Sequence, residues 1–172
     1  MDANFFRVAG DGMTQQFHPG ISGGFFWEFK INNKWSIQPE LLYTQRNTKT
    51  SDFSKYFSSS VSLRASDDVF LSYLSVPVIV KYRFNNVLAV HAGAEYNYLL
   101  YANEDLLKDN KEAFKKNDIG LTAGMEYAVS NRLSFYGRLF YGLNDINNIN
   151  TFHRWNTQQF QVGAAFSVFG YK

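Results

Sequence analysis

The 172-residue chain reads as all-β, an eight-stranded antiparallel up-and-down barrel, on three observations. Apolar and polar residues alternate along at least seven segments, which is the period of a strand with two unlike faces. Aromatics make up 18% of the chain, with 17 Phe and 11 Tyr. Mean hydropathy is nevertheless negative, as expected where each window averages an apolar face with a polar one. Finally, the connections between segments are short and long by turns, as in an up-and-down meander. The length suits a single domain over residues 1–172.

The first strand, near 5–11, carries the weakest alternation. In the second, Ile21, Phe25, Trp27, Phe29 and Ile31 oppose Ser22, Gly24, Glu28 and Lys30. The third sets Trp35, Ile37, Leu41 and Tyr43 against Ser36, Gln38 and Glu40. Two middle strands are predicted at 69–84 and 87–102. Ile119, Leu121, Ala123, Met125 and Tyr127 then oppose Asp118, Thr122 and Glu126. Leu133, Phe135, Leu139, Tyr141 and Leu143 alternate with Ser134, Tyr136 and Arg138. The last strand sets Phe160, Val162, Ala164, Phe166 and Val168 against Gln159, Gln161, Gly163 and Ser167.

Tight turns fall at Asn32-Asn33-Lys34, Asn85-Asn86 and Ser130-Asn131, built from residues that favour hairpin connections. Longer segments, 12–19, 47–68, 103–117 and 144–156, lie between them. Segment 47–68 is expected to extend its flanking strands, and 103–117 to hold a helical turn around Leu106, Leu107, Ala113 and Phe114. Pro39 and Pro77 each remove a ladder donor from a strand with no free edge, so a β-bulge is expected near one or both.

The sign of the barrel follows from its charges. Glu28, Lys30, Glu40, Arg46, Lys81, Arg83, Glu95, Asp118, Glu126 and Arg138 all fall on the polar face of their strands. Five acids and five bases among Gly, Ser, Ala and Gln describe an enclosed space filled by ion pairs rather than a hydrated surface. The opposite face carries Phe, Leu, Val, Tyr and Trp. Trp27, Phe29, Trp35, Tyr43, Tyr82, Phe84, Tyr96, Tyr98, Tyr127 and Tyr141 lie toward strand ends, where aromatic girdles meet a membrane interface. The predicted barrel is therefore transmembrane, with short turns periplasmic and long loops outside. A soluble lipocalin-like barrel would reverse the two faces. No stretch approaches the ~18 consecutive apolar residues of a transmembrane helix.

Several segments resemble a known family. Gly23-Gly24, then 35–43 (WSIQPELLY) and 73–82 (YLSVPVIVKY), look like the PorT-type outer-membrane β-barrel family of Bacteroidota. Ala92-Gly93 with Tyr98-Leu99-Leu100, and 118–124 (DIGLTAG) followed by Tyr127, match later parts of that pattern. The resemblance implies a small OmpA/OmpX-like barrel in the bacterial outer membrane with its signal peptide removed. It implies no single activity, although the founding member is linked to secretion. Such barrels usually end on an aromatic residue, whereas Lys172 follows Tyr171 here.

The interior charges Glu28, Lys30, Glu40, Lys81, Arg83, Glu95, Glu126 and Arg138 are expected to form an ion-pair plug. An eight-stranded barrel is just wide enough for side chains to fill, and Phe26, Tyr136 and Phe140 also point inward, which disfavours an ion path. His18, His91 and His153 are the only histidines, and no nucleophile–base–orienter set follows from their spacing. Neither a catalytic residue nor a metal or cofactor site is assigned, and cysteine is absent. Loop aromatics Phe53, Tyr56, Phe57, Phe114, Phe152 and Trp155 are candidate contact residues. Their alternative role is to pack over the barrel mouth or rest on lipopolysaccharide. No basic run interleaves with stacking rings, so nucleic acid is not an expected partner. The expectation is a non-enzymatic accessory subunit of an envelope complex, surrounded by outer-membrane lipid. A small-solute channel and a lipid-modifying enzyme are the alternatives.

Overall fold

The computed structural model describes residues 1–51, 56, 68–103, 112–149 and 153–168. Nine strand segments follow one another: β1 (Asp2–Ala9), β2 (His18–Phe26), β3 (Phe29–Lys30), β4 (Trp35–Lys49), β5 (Asp68–Arg83), β6 (Leu88–Asn103), β7 (Asn117–Ala128), β8 (Leu133–Gly142) and β9 (Asn156–Phe166). Neighbours pair antiparallel throughout. The sheet closes because β1 pairs with both β9 and β2, while β2 also pairs with β4. β2 and β3 lie along the same partner in one register, Phe26 opposite Glu40 and Phe29 opposite Ile37. They are one stave with an interruption, so the barrel has eight.

Pro39 causes that interruption. Trp27 donates its N–H to the Pro39 carbonyl at 3.0 Å. Proline has no N–H to return, and the ladder lapses at Trp27 and Glu28 without changing register. The bulge expected at Pro39 or Pro77 lies elsewhere. Between β5 and β6 the register runs evenly through Pro77 opposite Glu95 and shifts only at Ser72/Tyr73. Leu100 is the extra residue, and consecutive Leu100 and Tyr101 both face outward there, 52% and 61% exposed.

The three tight turns share one construction. Ile31, Phe84 and Val129 donate to the carbonyls of Trp35, Leu88 and Leu133, at 2.9, 3.0 and 2.9 Å. In each, the first turn residue offers a side-chain oxygen to two later N–H groups. Asn32 Oδ1 accepts from Lys34 and Trp35, Asn85 Oδ1 from Val87 and Leu88, and Ser130 Oγ from Arg132 and Leu133. An even number of staves returns the chain to the same end, where the terminal amine donates to Ala164 O at 3.0 Å.

Strand faces divide sharply. On β4, Ser36, Gln38, Glu40, Leu42, Thr44, Arg46 and Thr48 are buried, whereas Trp35, Ile37, Leu41 and Tyr43 are exposed. The exposed set elsewhere includes Leu121, Met125, Leu139, Phe160 and Val162. β5 departs from a simple apolar-out rule: Val69, Leu71, Tyr73 and Ile79 point inward. At the loop end the first three join Phe6, Val8, Met13, Leu99, Ala113, Phe114, Ile146 and Trp155 in one buried apolar cluster.

This cluster is a cap that ties the loop bases together. Met13 bridges Thr50 and Phe114 bridges Asn147. Lys115 N–H donates to Ile146 O at 2.8 Å and Asn148 N–H to Ala113 O at 2.9 Å. Phe114 is thus held in an isolated bridge, with Ala113 bonded beside it, and neither stands in the expected helical turn. Leu106 and Leu107 lie outside the described residues.

Candidate functional site: a plugged interior and its surfaces

Four layers fill the barrel, beginning at the turn end. There Glu28 receives Ser36 Oγ at 2.6 Å and Arg83, and Arg83 Nη1 also donates to Ser36 Oγ at 3.2 Å. Lys81 Nζ lies 2.5 Å from Glu126 Oε2 and 3.8 Å from Glu28 Oε2. Strands β4 and β5 bring these together because Ser36 pairs directly with Lys81 across the ladder.

The second layer spans the lumen. Arg138 Nη1 and Nη2 donate to Glu40 Oε2 and Oε1 at 2.8 and 2.7 Å, a bidentate pair of two buried side chains. Gln38 Nε2 donates to Glu40 Oε1 at 2.8 Å, and Arg138 Nε faces His91 Nε2 at 3.3 Å. The guanidinium also lies 5.1 Å from the Tyr136 ring centroid, and the Tyr136 hydroxyl donates to Asp2 Oδ2 at 2.8 Å.

Arg46 centres the third layer. Its Nη2 donates to Glu95 Oε1 and Asn97 Oδ1, each at 3.1 Å, and its Nη1 to Asp118 Oδ2 at 3.3 Å. Thr157 Oγ1 donates to Asp118 from β9, two staves away, 2.9 Å from Oδ2. The rings of Phe6, Tyr73 and Phe140 stand 5.2, 4.8 and 5.2 Å from the same guanidinium. Phe6 and Tyr73 belong to the apolar cap above, which is the fourth layer. Phe114 and Trp155 pack within it with ring centroids 5.2 Å apart and planes tilted by 43°, and Trp155 Nε1 donates to Asp11 O at 3.0 Å.

The barrel therefore brings Glu28, Lys81, Arg83 and Glu126 into one group, Glu40 and Arg138 into a second, and Glu95 with Arg46 into a third. Lys30 is a correction: it is exposed at the turn end. It lines a cavity of about 490 Å³ there with Arg83, Glu126 and the turn asparagines Asn33, Asn85, Asn86 and Asn131. The girdle residues Trp27, Phe29, Trp35, Tyr43, Phe84, Tyr96, Tyr98, Tyr127 and Tyr141 are exposed on the outer wall, and Tyr82 is partly covered. Trp35 accounts for part of that cover, with its ring 4.8 Å from Tyr82.

Among the loop aromatics, Phe114 and Trp155 are corrected from contact residues to cap residues, at 1% and 0% exposure. Inward projection from the loop bases buries them. Tyr56 is exposed and meets the His153 ring edge-on at 5.6 Å. Phe53, Phe57 and Phe152 lie outside the described residues. Asp2, Asn97 and Thr157 were not singled out from the sequence. Alternation continued along β6 and β9 turns Asn97 and Thr157 inward, whereas Asp2 precedes the first strand predicted near 5–11, and the partners of all three lie on strands far away in the chain.

Chemically, the charged groups of the interior are paired with one another. His91 is buried against Arg138, while His153 Nδ1 lies 2.8 Å from Asp11 Oδ2 and ties the loop after β1 to the segment before β9. Among the described residues, no group of three His, Cys, Asp or Glu could hold a metal ion.

Comparisons agree with this architecture. No curated protein matches the chain by sequence. The solved structure of Neisserial surface protein A (NspA) is similar with a TM-score of 0.61 and 15% identity, over 96% of this chain and 92% of that one. Ail, the attachment invasion locus protein of Yersinia pestis, solved with the heparin analogue sucrose octasulfate, gives 0.55 and 14%, over 96% and 93%. OprG from Pseudomonas aeruginosa gives 0.52 and 13%, over 96% and 91%. At these identities the likeness concerns the fold. The family model for the outer membrane protein beta-barrel domain matches residues 4–148. A closed barrel with an apolar outer wall, a charged lumen and that match together place this chain in the outer membrane protein beta-barrel domain family, as a protein of the bacterial outer membrane.

Proposed function

We propose that this barrel is a non-enzymatic structural or accessory subunit of an envelope assembly, working through its outer wall and loop surface rather than through its lumen. One observation carries the reading: above the turn-end cavity, side chains cross the lumen at successive levels up to the loop cap. Lys81, Arg138 and Arg46 each stand across the lumen in contact with carboxylates from other strands. Trp155 and Phe114 close the loop end above them. Ion transfer would require breaking buried pairs whose disruption costs about 3–5 kcal/mol each. This weighs against the small-solute channel.

The resemblance of 35–43 and 73–82 to PorT-type barrels of Bacteroidota supports an assembly concerned with secretion. The same filled interior argues against a lipid-modifying enzyme, because buried His91 is already engaged by Arg138. Extraction in mild detergent followed by chemical crosslinking tests the proposal, with recovery of defined envelope proteins as the expected result. Recovery of the barrel alone under varied conditions, or discrete conductance in planar bilayers, would overturn it.

A further inference from the structure

Arg7 is out of place. On β1 the residues Asp2, Asn4, Phe6 and Val8 are buried, so Arg7 projects from the opposite, lipid-facing side. Other outward strand charges among the described residues are Lys49 and Asp68, which pair with each other at 2.8 Å at the strand ends. Arg7 has no carboxylate within 4 Å among the described residues. Its Nε and Nη2 donate to Gln158 Oε1 at 2.9 and 2.6 Å, and Nη1 donates to Gln15 O at 2.9 Å. The guanidinium lies 4.7 Å from the Phe17 ring centroid. Three of five N–H donors are engaged, and one on each terminal nitrogen remains. A cation held this firmly on an apolar wall is preorganised for an anion.

Directly below it the wall is hollow. A groove of about 770 Å³ runs past Ala92, Leu121, Ala123, Leu139, Tyr141 and Phe160, and its upper edge is made by Gln158 and Phe17, the two side chains that hold Arg7. The ladder explains the hollow. Phe160, Leu139, Ala123 and Ala92 form one continuous cross-strand row, in which the last two side chains are single methyl groups. The next row toward the loops runs through Leu121, Tyr141 and Gln158 to Arg7. Gly93, Thr122, Phe140 and Gln159 also border the groove but point inward. The sheet itself is therefore the floor. Arg7 sits two residues from the loop end of β1, on the half of the wall nearer the long loops.

We infer that this wall is a binding site for a phosphorylated acyl glycolipid, the lipid A portion of lipopolysaccharide. One acyl chain lies in the Ala92–Ala123 groove and a phosphate meets the two remaining Arg7 donors. Charge and position choose this occupant: the groove is apolar and on the outer wall, and the cation lies at its loop end, which in outer-membrane barrels is the extracellular one. The site does not depend on the accessory role proposed above.

The test uses the full chain in phospholipid nanodiscs with added lipid A, with occupancy read by native mass spectrometry. The variants are Arg7→Gln, which removes the charge, and Ala123→Phe and Ala92→Phe, which fill the groove from a face where a large apolar side chain meets only lipid. Heat-modifiable gel migration identifies the folded forms. Wild type is expected to retain lipid A about ten-fold better than each folded variant, and better than it retains dephosphorylated lipid A. Equal occupancy across wild type and variants would overturn the site, as would equal retention of phosphatidylglycerol. Loss in Arg7→Gln alone, with both filling variants unchanged, would overturn the groove as the seat of the acyl chain.

Discussion

Arg138 on β8 reaches across the lumen to Glu40 on β4 and bonds both carboxylate oxygens, at 2.8 and 2.7 Å, with neither side chain more than 5% exposed. Breaking such a pair strands a buried charge, whereas replacing both partners removes the problem. Arg138→Met or Glu40→Leu alone should destabilise the folded barrel by about 3–5 kcal/mol, and the double variant should recover most of the loss. Urea unfolding in lipid vesicles measures it. Additive losses in the double variant would show that the two residues do not act as a pair.

Two glycines should respond oppositely to a methyl group. A Cβ on Gly120 would stand 2.3 Å from Tyr141 O and 2.5 Å from the Phe140 ring, between a ladder carbonyl and a buried side chain. One on Gly137, on the outer wall, meets nothing within 4 Å. Gly120→Ala should cost about 1–3 kcal/mol and Gly137→Ala close to nothing. The same unfolding assay distinguishes them.

The three tryptophans report which side of the wall faces lipid. Trp27 and Trp35 are 53% and 44% exposed on the outer wall, while Trp155 is 0% exposed inside the cap. In single-tryptophan variants, brominated acyl chains should quench the first two strongly and Trp155 little. Strong quenching of Trp155 with protected Trp27 and Trp35 would invert the barrel.

Depth along the outer wall sets the cost of a charge. Leu139 lies mid-strand and is 61% exposed, and Val129, beyond the end of β7 beside a turn, is 54% exposed. Leu139→Arg should destabilise by about 2–4 kcal/mol and Val129→Arg by about 0–1 kcal/mol. Equal small costs would mean that Leu139 meets water.

Removal of Trp155 tests the cap. The side chain is fully buried and packs against Phe114, ring centroids 5.2 Å apart. Trp155→Ala should cost about 3–5 kcal/mol while leaving bilayer conductance absent, because the Arg46 and Arg138 layers lie beneath it. Appearance of a conductance would make the cap the sole barrier.

What the sequence determined by itself was the strand repeat, the three turns and the direction of the two faces. A two-residue period is local. Trp35 to Tyr43 shows it without any knowledge of neighbours, and Asn32, Asn85 and Ser130 each direct their turn with their own side chain. Closure decided the rest. Alternation placed Glu40, Glu95 and Arg138 inward, but could not tell which carboxylate each base would meet, since Arg46 finds Asp118 72 residues away. The inward turn of Leu71 and Tyr73, the burial of Trp155 and the escape of Lys30 to the mouth were equally invisible. In a closed cylinder a side chain's surroundings come from the opposite wall and from its height along the axis. Both are set by register and stagger summed around all eight staves, which no single strand records.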